Sequence, residues 1–290
     1  MTDSYYGRPI LKAPVWKWYI PAYFFTGGLA GASSTLALAA QVTGNRGLRR
    51  TALGAAAAGV AVSGPLLVVD LGRPGRFLNM LRVAKPTSPM SVGSWLLAAF
   101  VPAAFAAAFS DITGRVPRLG RAAAAGAGAL GPVVATYTAV LVADTAIPAW
   151  HDAQRELPFV FAGSSAAAAA GAALAFTPVG SAGPARRLAV VGAALEVSAS
   201  RAMERRLGPV AGPYTDGRAG RLARAAEACT LSGAALAALA GRRRPAAVAA
   251  GALLCAGSVL TRFSVVRAGF ESAGDPQATV GPQRSGRGSA

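Results

Sequence analysis

Apolar residues gather in this chain into eight blocks separated by short polar runs: 19–41, 52–70, 90–109, 122–143, 157–177, 187–203, 223–240 and 246–266. A helix of about 20 such residues crosses the hydrocarbon core of a bilayer. The pattern predicts an all-α integral membrane protein, a polytopic bundle of about eight transmembrane helices. The sixth and seventh blocks are the weakest, because Glu196 interrupts one and Glu227 sits early in the other. The spacing is compatible with two four-helix halves. It divides the chain into an interfacial segment (1–18), a first bundle (19–143), a second bundle (144–270) and a Gly/Pro/Ser/Gln-rich disordered tail (271–290).

Composition supports this reading. The 290 residues are 53% hydrophobic and only 14% charged, where a soluble domain carries about 25% charged residues. Thirty-five glycines and many alanines suit a membrane bundle, in which small residues let helix backbones approach. Pro65, Pro102 and Pro132 fall inside blocks, as membrane helices tolerate when neighbours satisfy the freed carbonyls. The residues before the first block are too aromatic for the n-region of a signal peptide, and no small-residue cleavage site ends that block. Tyr5, Tyr6, Trp16, Trp18 and Tyr19 read instead as anchors at the membrane surface, as do Trp95 and Trp150.

With eight spans both termini share one face, here called the N-face. The opposite face holds four short turns with eleven bases, among them Arg46, Arg49, Arg121, Arg242 and Arg243, and one acid, Asp111. The N-face carries the other 18 bases over longer segments, so the raw count favours that face as cytoplasmic, whereas the density of bases in short loops favours the opposite face, the reading preferred here. The net charge of +17 is spread over inter-span loops and not over one face of a folded domain, so nucleic acid is excluded as a partner and the lipid bilayer is the expected one.

The chemistry is concentrated on the N-face. From Asp70 to Trp95 runs a segment with an acid at a helix end, the bases Arg73, Arg76, Arg82 and Lys85, the prolines Pro74, Pro86 and Pro89, and the amide Asn79. A plain turn needs none of these. The single histidine, His151, lies in a loop and cannot supply paired axial haem ligands, and Cys229 and Cys255 are too few for an iron–sulfur cluster. No metal site and no phosphate-cradling loop is legible. If the chain takes part in redox chemistry, a partner must own the metal centres, and a lipid-soluble carrier such as a quinone must meet that partner. A quinone head needs a few polar groups close to the surface and an apolar groove for its tail. Tyr137 lies roughly 9 Å inside the end of the fourth span; Asp70 at the end of the second span, Tyr23 near the start of the first and Asn79 in the loop join it toward the same face. Glu196, about ten residues into the sixth span, reads either as part of a proton path or as a structural acid paired with Arg201.

These segments carry a resemblance. Tyr6-Gly-Arg-Pro, Tyr23-Phe-Phe-Thr-Gly-Gly-Leu-Ala-Gly-Ala-Ser, the Asp70–Trp95 run, Tyr137-Thr-Ala-Val-Leu-Val-Ala-Asp-Thr-Ala-Ile-Pro-Ala-Trp and Leu157-Pro-Phe-Val-Phe-Ala-Gly resemble the NrfD/polysulfide reductase (PsrC-like) membrane-subunit family. The likeness spans Tyr5–Trp95 and Tyr137–Gly163, and beyond Phe176 only hydropathy remains. It implies a subunit of about eight helices without haem, iron–sulfur cluster or metal of its own. Such a subunit docks a ferredoxin-like 4Fe-4S protein that is bound in turn to a molybdopterin catalytic subunit. It also implies a quinone pocket, for menaquinone or ubiquinone, beside the docking face, with Tyr137 and Asp70 at the matching positions. Where some family members place a histidine at the start of the first span, this chain reads Trp18-Tyr-Ile-Pro-Ala-Tyr-Phe.

The expectation is therefore a quinone-binding anchor subunit in the cell membrane, with no catalytic residue of its own and not an enzyme alone. Tyr137, Asp70, Tyr23 and Asn79 are its quinone contacts, and Arg73, Arg76, Arg82 and Lys85 its docking bases. A passive anchor without a quinone site is the first alternative, and a secondary transporter the second.

Overall fold

The computed structural model describes residues 11–12, 14–71 and 75–275, with the side chains of Phe77, Leu78, Pro209 and Val210 left aside. Tyr5, Tyr6, Arg73, Pro74 and the tail from residue 276 lie outside the described residues. No strand occurs among those described.

Among the described residues eight long helices follow one another: α1 (Tyr19–Val42), α2 (Arg46–Asp70), α3 (Pro89–Thr113), α4 (Pro117–Ala143), α5 (Leu157–Phe176), α6 (Gly183–Leu207), α7 (Gly217–Ala240) and α8 (Arg244–Gly274). Short helices at Arg76–Met80, Pro148–Asp152 and Gly212–Thr215 sit on the N-face connections. Local chemistry sets the ends. Asn45 caps α2 by accepting from the Leu48 N–H at 3.1 Å. Pro89, Pro117, Pro148 and Pro184 open helices, where a missing N–H costs nothing. Gly114 ends α3 in the left-handed conformation, φ 69°. The last helix runs to Gly274, past residue 270, where the sequence reading ends the second bundle; an i,i+4 pair between Arg267 and Glu271 supports its extra turn.

By length and composition, six helices are able to cross a membrane among the described residues: α2, α3, α4, α5, α7 and α8. The seventh block, expected to be weak, is among them. The sixth is not, since α6 carries Arg186, Arg187, Glu196, Arg201, Glu204, Arg205 and Arg206. Nor is α1, which has no charge but is diluted by Gly, Ser and Thr.

Helix α1 is nonetheless central, packing against α2, α4, α5 and α8. It approaches α4 backbone to backbone. A Cβ on Gly31 would stand 2.6 Å from the Gly131 carbonyl oxygen, and a Cβ on Gly131 would stand 2.4 Å from that of Gly31. Only glycine at both positions allows this contact, which also brings Tyr23 and Tyr137 to one level. Helix α5 packs against α6, α8, α1 and α4 and has the most buried apolar window of the six. At the opposite-face end the core is small and alanine-rich. At the N-face end it is aromatic, with Trp150 fully buried.

Candidate functional site

At the N-face end of α1, α2, α3 and α4 lies a cavity of about 120 Å³. Tyr23, Asp70 and Tyr137 all line it, within a shell of Trp16, Ile20, Phe24, Leu67, Met90 and Leu97. Three of the four expected quinone contacts, drawn from three helices, therefore converge. Tyr23 is 5% exposed, and its hydroxyl is hydrogen-bonded to that of Tyr137 across the space. Asp70, the last residue of α2, is half-buried at the rim.

The fourth residue, Asn79, is exposed on the Arg76–Met80 helix and lies outside the lining, to which its neighbour Met80 contributes. Arg76, Arg82 and Lys85 are also exposed on this connection, as a docking surface requires; Arg73 lies outside the described residues. The connection is tied down by Ser91, whose hydroxyl donates to the Val83 carbonyl at 2.7 Å and accepts from the Lys85 N–H at 2.9 Å. Trp95 donates to the same carbonyl at 3.2 Å and stays exposed.

Two features of the cavity escaped the sequence reading. Gly93 faces Tyr137 so closely that a Cβ there would stand 2.6 Å from the ring. Trp16, expected only to anchor the surface, folds back into the lining and stacks on Trp150 with centroids 5.0 Å apart. Trp150 is not a surface anchor. Its ring is enclosed, and its N–H donates to the Val265 carbonyl at 2.7 Å. The signal was present in the spacing of Pro148 and Trp150, which starts a short helix and turns the indole inward. His151 is exposed.

A second constellation lies deeper, between α5, α6, α7 and α8. Glu196 is 4% exposed. Its carboxylate accepts from Thr261 at 2.5 Å and from Thr230 at 3.3 Å. The expected pairing with Arg201 does not occur; Arg201 binds Glu227 instead. Residue 262 is the larger omission. Arg262, 1% exposed, donates through Nη2 to the Phe161 carbonyl at 3.0 Å and to Ser165 Oγ at 2.8 Å, with its guanidinium 3.7 Å over the Phe161 ring. Its Nε and Nη1 find no partner. A cavity of about 260 Å³ reaches Glu196 from the N-face past Glu204, Glu227, Arg201 and Arg224. An arginine inside an apolar run is itself a signal of a buried polar site. Cys229 and Cys255 are half-buried, and the Cys255 thiol approaches the Ala168 carbonyl at 3.6 Å. Among the described residues no group of three His, Cys, Asp or Glu could hold a metal ion.

The model of the polysulphide reductase NrfD family matches residues 10–181. The chain belongs to this family. No curated protein matches it. The NrfD match spans α1 to α5, so it takes in every residue of the cavity at Tyr23, Asp70 and Tyr137 and the basic connection beside it. It stops before Glu196 and Arg262. Family and helices together make the chain a multi-pass membrane protein, an NrfD membrane subunit of the polysulphide reductase type.

Proposed function

We propose that the chain is the quinone- or quinol-binding anchor subunit of a molybdopterin/iron–sulfur oxidoreductase in the cell membrane. In this reading it crosses the bilayer eight times, as two four-helix halves, with the basic opposite face in the cytoplasm. It brings the quinone pool within reach of a cluster in a ferredoxin-like 4Fe-4S partner. The observation that carries the reading is the convergence of Tyr23, Asp70 and Tyr137 on one apolar cavity beside the exposed bases Arg76, Arg82 and Lys85.

The cavity admits a ring only if the tyrosine pair parts: an engineered apolar cavity of about 150 Å³ accommodates benzene, the space here is somewhat smaller, and a quinone head is larger than benzene. A quinone carbonyl would come between the two phenols, accepting from both Tyr137 and Tyr23. One hydroxyl–hydroxyl bond is then exchanged for two hydroxyl–carbonyl bonds, a gain of about one hydrogen bond that adds to apolar burial of the ring. The tail would leave past Met90, which is exposed to the surroundings. Quinone reduction takes up two protons with two electrons. Asp70, at the rim, is the group placed to pass protons between the cavity and the N-face.

Replacement of Tyr137 by Phe and of Asp70 by Asn tests the reading in the intact complex. Tyr137→Phe is expected to weaken binding of a quinol analogue about tenfold, by loss of one hydrogen bond, and Asp70→Asn to slow quinone-coupled turnover more than binding. Unchanged turnover in both, with the extrinsic subunits still attached, identifies a passive anchor.

The polar cavity at Glu196 supports a further role for the second half. There the carboxylate would exchange protons with the N-face through the channel past Glu204 and Glu227. Glu196→Gln keeps the shape and can still accept from Thr261 through its amide oxygen, but removes the proton carrier. It is expected to leave quinone binding intact while reducing proton uptake by vesicles during turnover; equal uptake removes the role. Substrate flux by the chain alone, without partners, would favour a transporter.

A further inference from the structure

The opposite face carries a recess that the quinone reading does not use. About 560 Å³ in volume, it lies between the α1–α2 turn, the start of α4 and the connection from α5 to α6. Arg46, Arg49 and Arg121 line it, with Gln41, Asn45 and Ser181. No carboxylate lines it. Asp111 stands just outside and binds Arg49 Nη1 at 2.9 Å, which fixes that guanidinium while its Nε, buried, has no partner. Asn45 and Gln41 fix the walls, donating to the Ser181 carbonyl at 2.9 Å and to the Arg121 carbonyl at 3.2 Å.

The recess also holds the start of α2. Asn45 satisfies the Leu48 N–H, and Arg49 N–H reaches the Asn45 carbonyl. The first two helical N–H groups, at Arg46 and Gly47, have no acceptor within the helix. Gly47 lies close against Ser181, whose Oγ would stand 3.1 Å from a Cβ there. Three arginines, one of them already paired with Asp111, line one recess at the start of α2, a setting suited to a tetrahedral oxyanion.

What surrounds the recess decides between a free anion and a lipid. Val42, Ile112, Val116 and Leu119 are all exposed, and each lies within five sequence positions of Asn45, Asp111 or Arg121. At this depth in a membrane subunit, side chains of that kind face acyl chains. We infer that the recess binds the phosphate of an anionic phospholipid, whose chains lie along the exposed apolar residues beside it. A basic pocket between helix ends on the face that the charge distribution places in the cytoplasm is where anionic headgroups are richest. The inference does not depend on the quinone cavity, which lies at the other end of the bundle.

The test uses the full chain, purified with whatever subunits accompany it, and native mass spectrometry after exposure to equal amounts of phosphatidylglycerol and phosphatidylcholine. The native protein is expected to retain phosphatidylglycerol preferentially. In Arg46→Gln/Arg121→Gln that preference is expected to fall about thirtyfold, since each basic residue near an anionic lipid counts for about a factor of five. Both side chains are exposed, so assembly is expected to survive. Arg46→Lys/Arg121→Lys, which keeps the charges, is expected to recover most of the preference. The variant Arg242→Gln/Arg243→Gln removes two exposed bases from the same face outside the recess and is expected to leave it unchanged. Three results overturn the site: no preference in the native protein, an equal loss from the Arg242/Arg243 pair, or displacement of the lipid by inorganic phosphate at the same concentration, which would mark a soluble-anion site.

Discussion

Gly93 shows how much a single hydrogen atom decides in this molecule. The Tyr137 ring lies where a larger residue 93 would put its Cβ, 2.6 Å from an aromatic carbon. Real contacts of that length do not occur, so Gly93→Ala must displace the ring. The ring carries the hydroxyl that meets Tyr23, and displacement toward α1 would fill a cavity of only about 120 Å³. Overpacking of this kind costs about 1–3 kcal/mol. The expected outcome is a lower thermal midpoint together with loss of quinol-analogue binding, measured by fluorescence quenching on the purified complex. Tyr137→Phe should differ, losing affinity with the ring left in place; its stability cost, about 1–3 kcal/mol, comes from the buried Tyr23 hydroxyl left without its partner. Sequence reading identified both tyrosines because their residue type and depth suit a head group. It did not identify Gly93, because one glycine among thirty-five has no mark of its own until the facing ring is known.

At the scale of elements, the helices were legible and their fastenings were not. Hydropathy located the long helices because most are apolar blocks bounded by polar turns; α6, with seven charged residues, is the weakest of them. The clamp between α5 and α6 shows what hydropathy omits. Glu156 precedes α5, and Arg206 closes α6 fifty residues later; Nε and Nη2 of the arginine meet the two carboxylate oxygens at 2.5 and 2.6 Å. The hydrogen bond from Arg206, more than the charge itself, holds the Glu156 carboxyl below the usual range. Because the folded value is lowered, the clamp contributes fully above the unfolded value of about 4.3 and is lost as pH falls through the lowered one. Arg206 is 36% exposed, so water screens the pair and its contribution is on the order of 1 kcal/mol. Glu156→Gln is therefore expected to lower the midpoint by a constant amount above about pH 5. Native and variant curves should converge under more acid conditions. A constant difference down to pH 3 would show that the amide has lost packing and not charge.

Across the whole molecule, Arg262 links parts that the sequence reading kept separate. It belongs to α8, stacks on Phe161 of α5, and stands against α1, where a Cβ on Gly28 would lie 3.3 Å from its Nη2. Phe161 in turn meets Phe24, a wall of the tyrosine cavity, with ring centroids 6.2 Å apart. One buried cation thus touches α1, α5 and α8, and its counter-charge is Glu196 on α6. No ion pair within 4.0 Å connects them among the described residues, so each charge is held by neutral groups: threonines on the acid, a serine and a carbonyl on the base. Such an arrangement loses more from removal of one member than from removal of both, because a lone buried charge has nothing left to oppose it. Arg262→Met is expected to destabilise the bundle by about 3–5 kcal/mol. Glu196→Gln alone should cost less, since the amide can still accept from Thr261. The double variant is expected to be more stable than the sum of the single changes allows, by on the order of 1 kcal/mol or more. Thermal unfolding of the four proteins in one detergent closes the cycle. Strict additivity would mean that each charge is satisfied locally and that α6 and α8 are coupled only by packing.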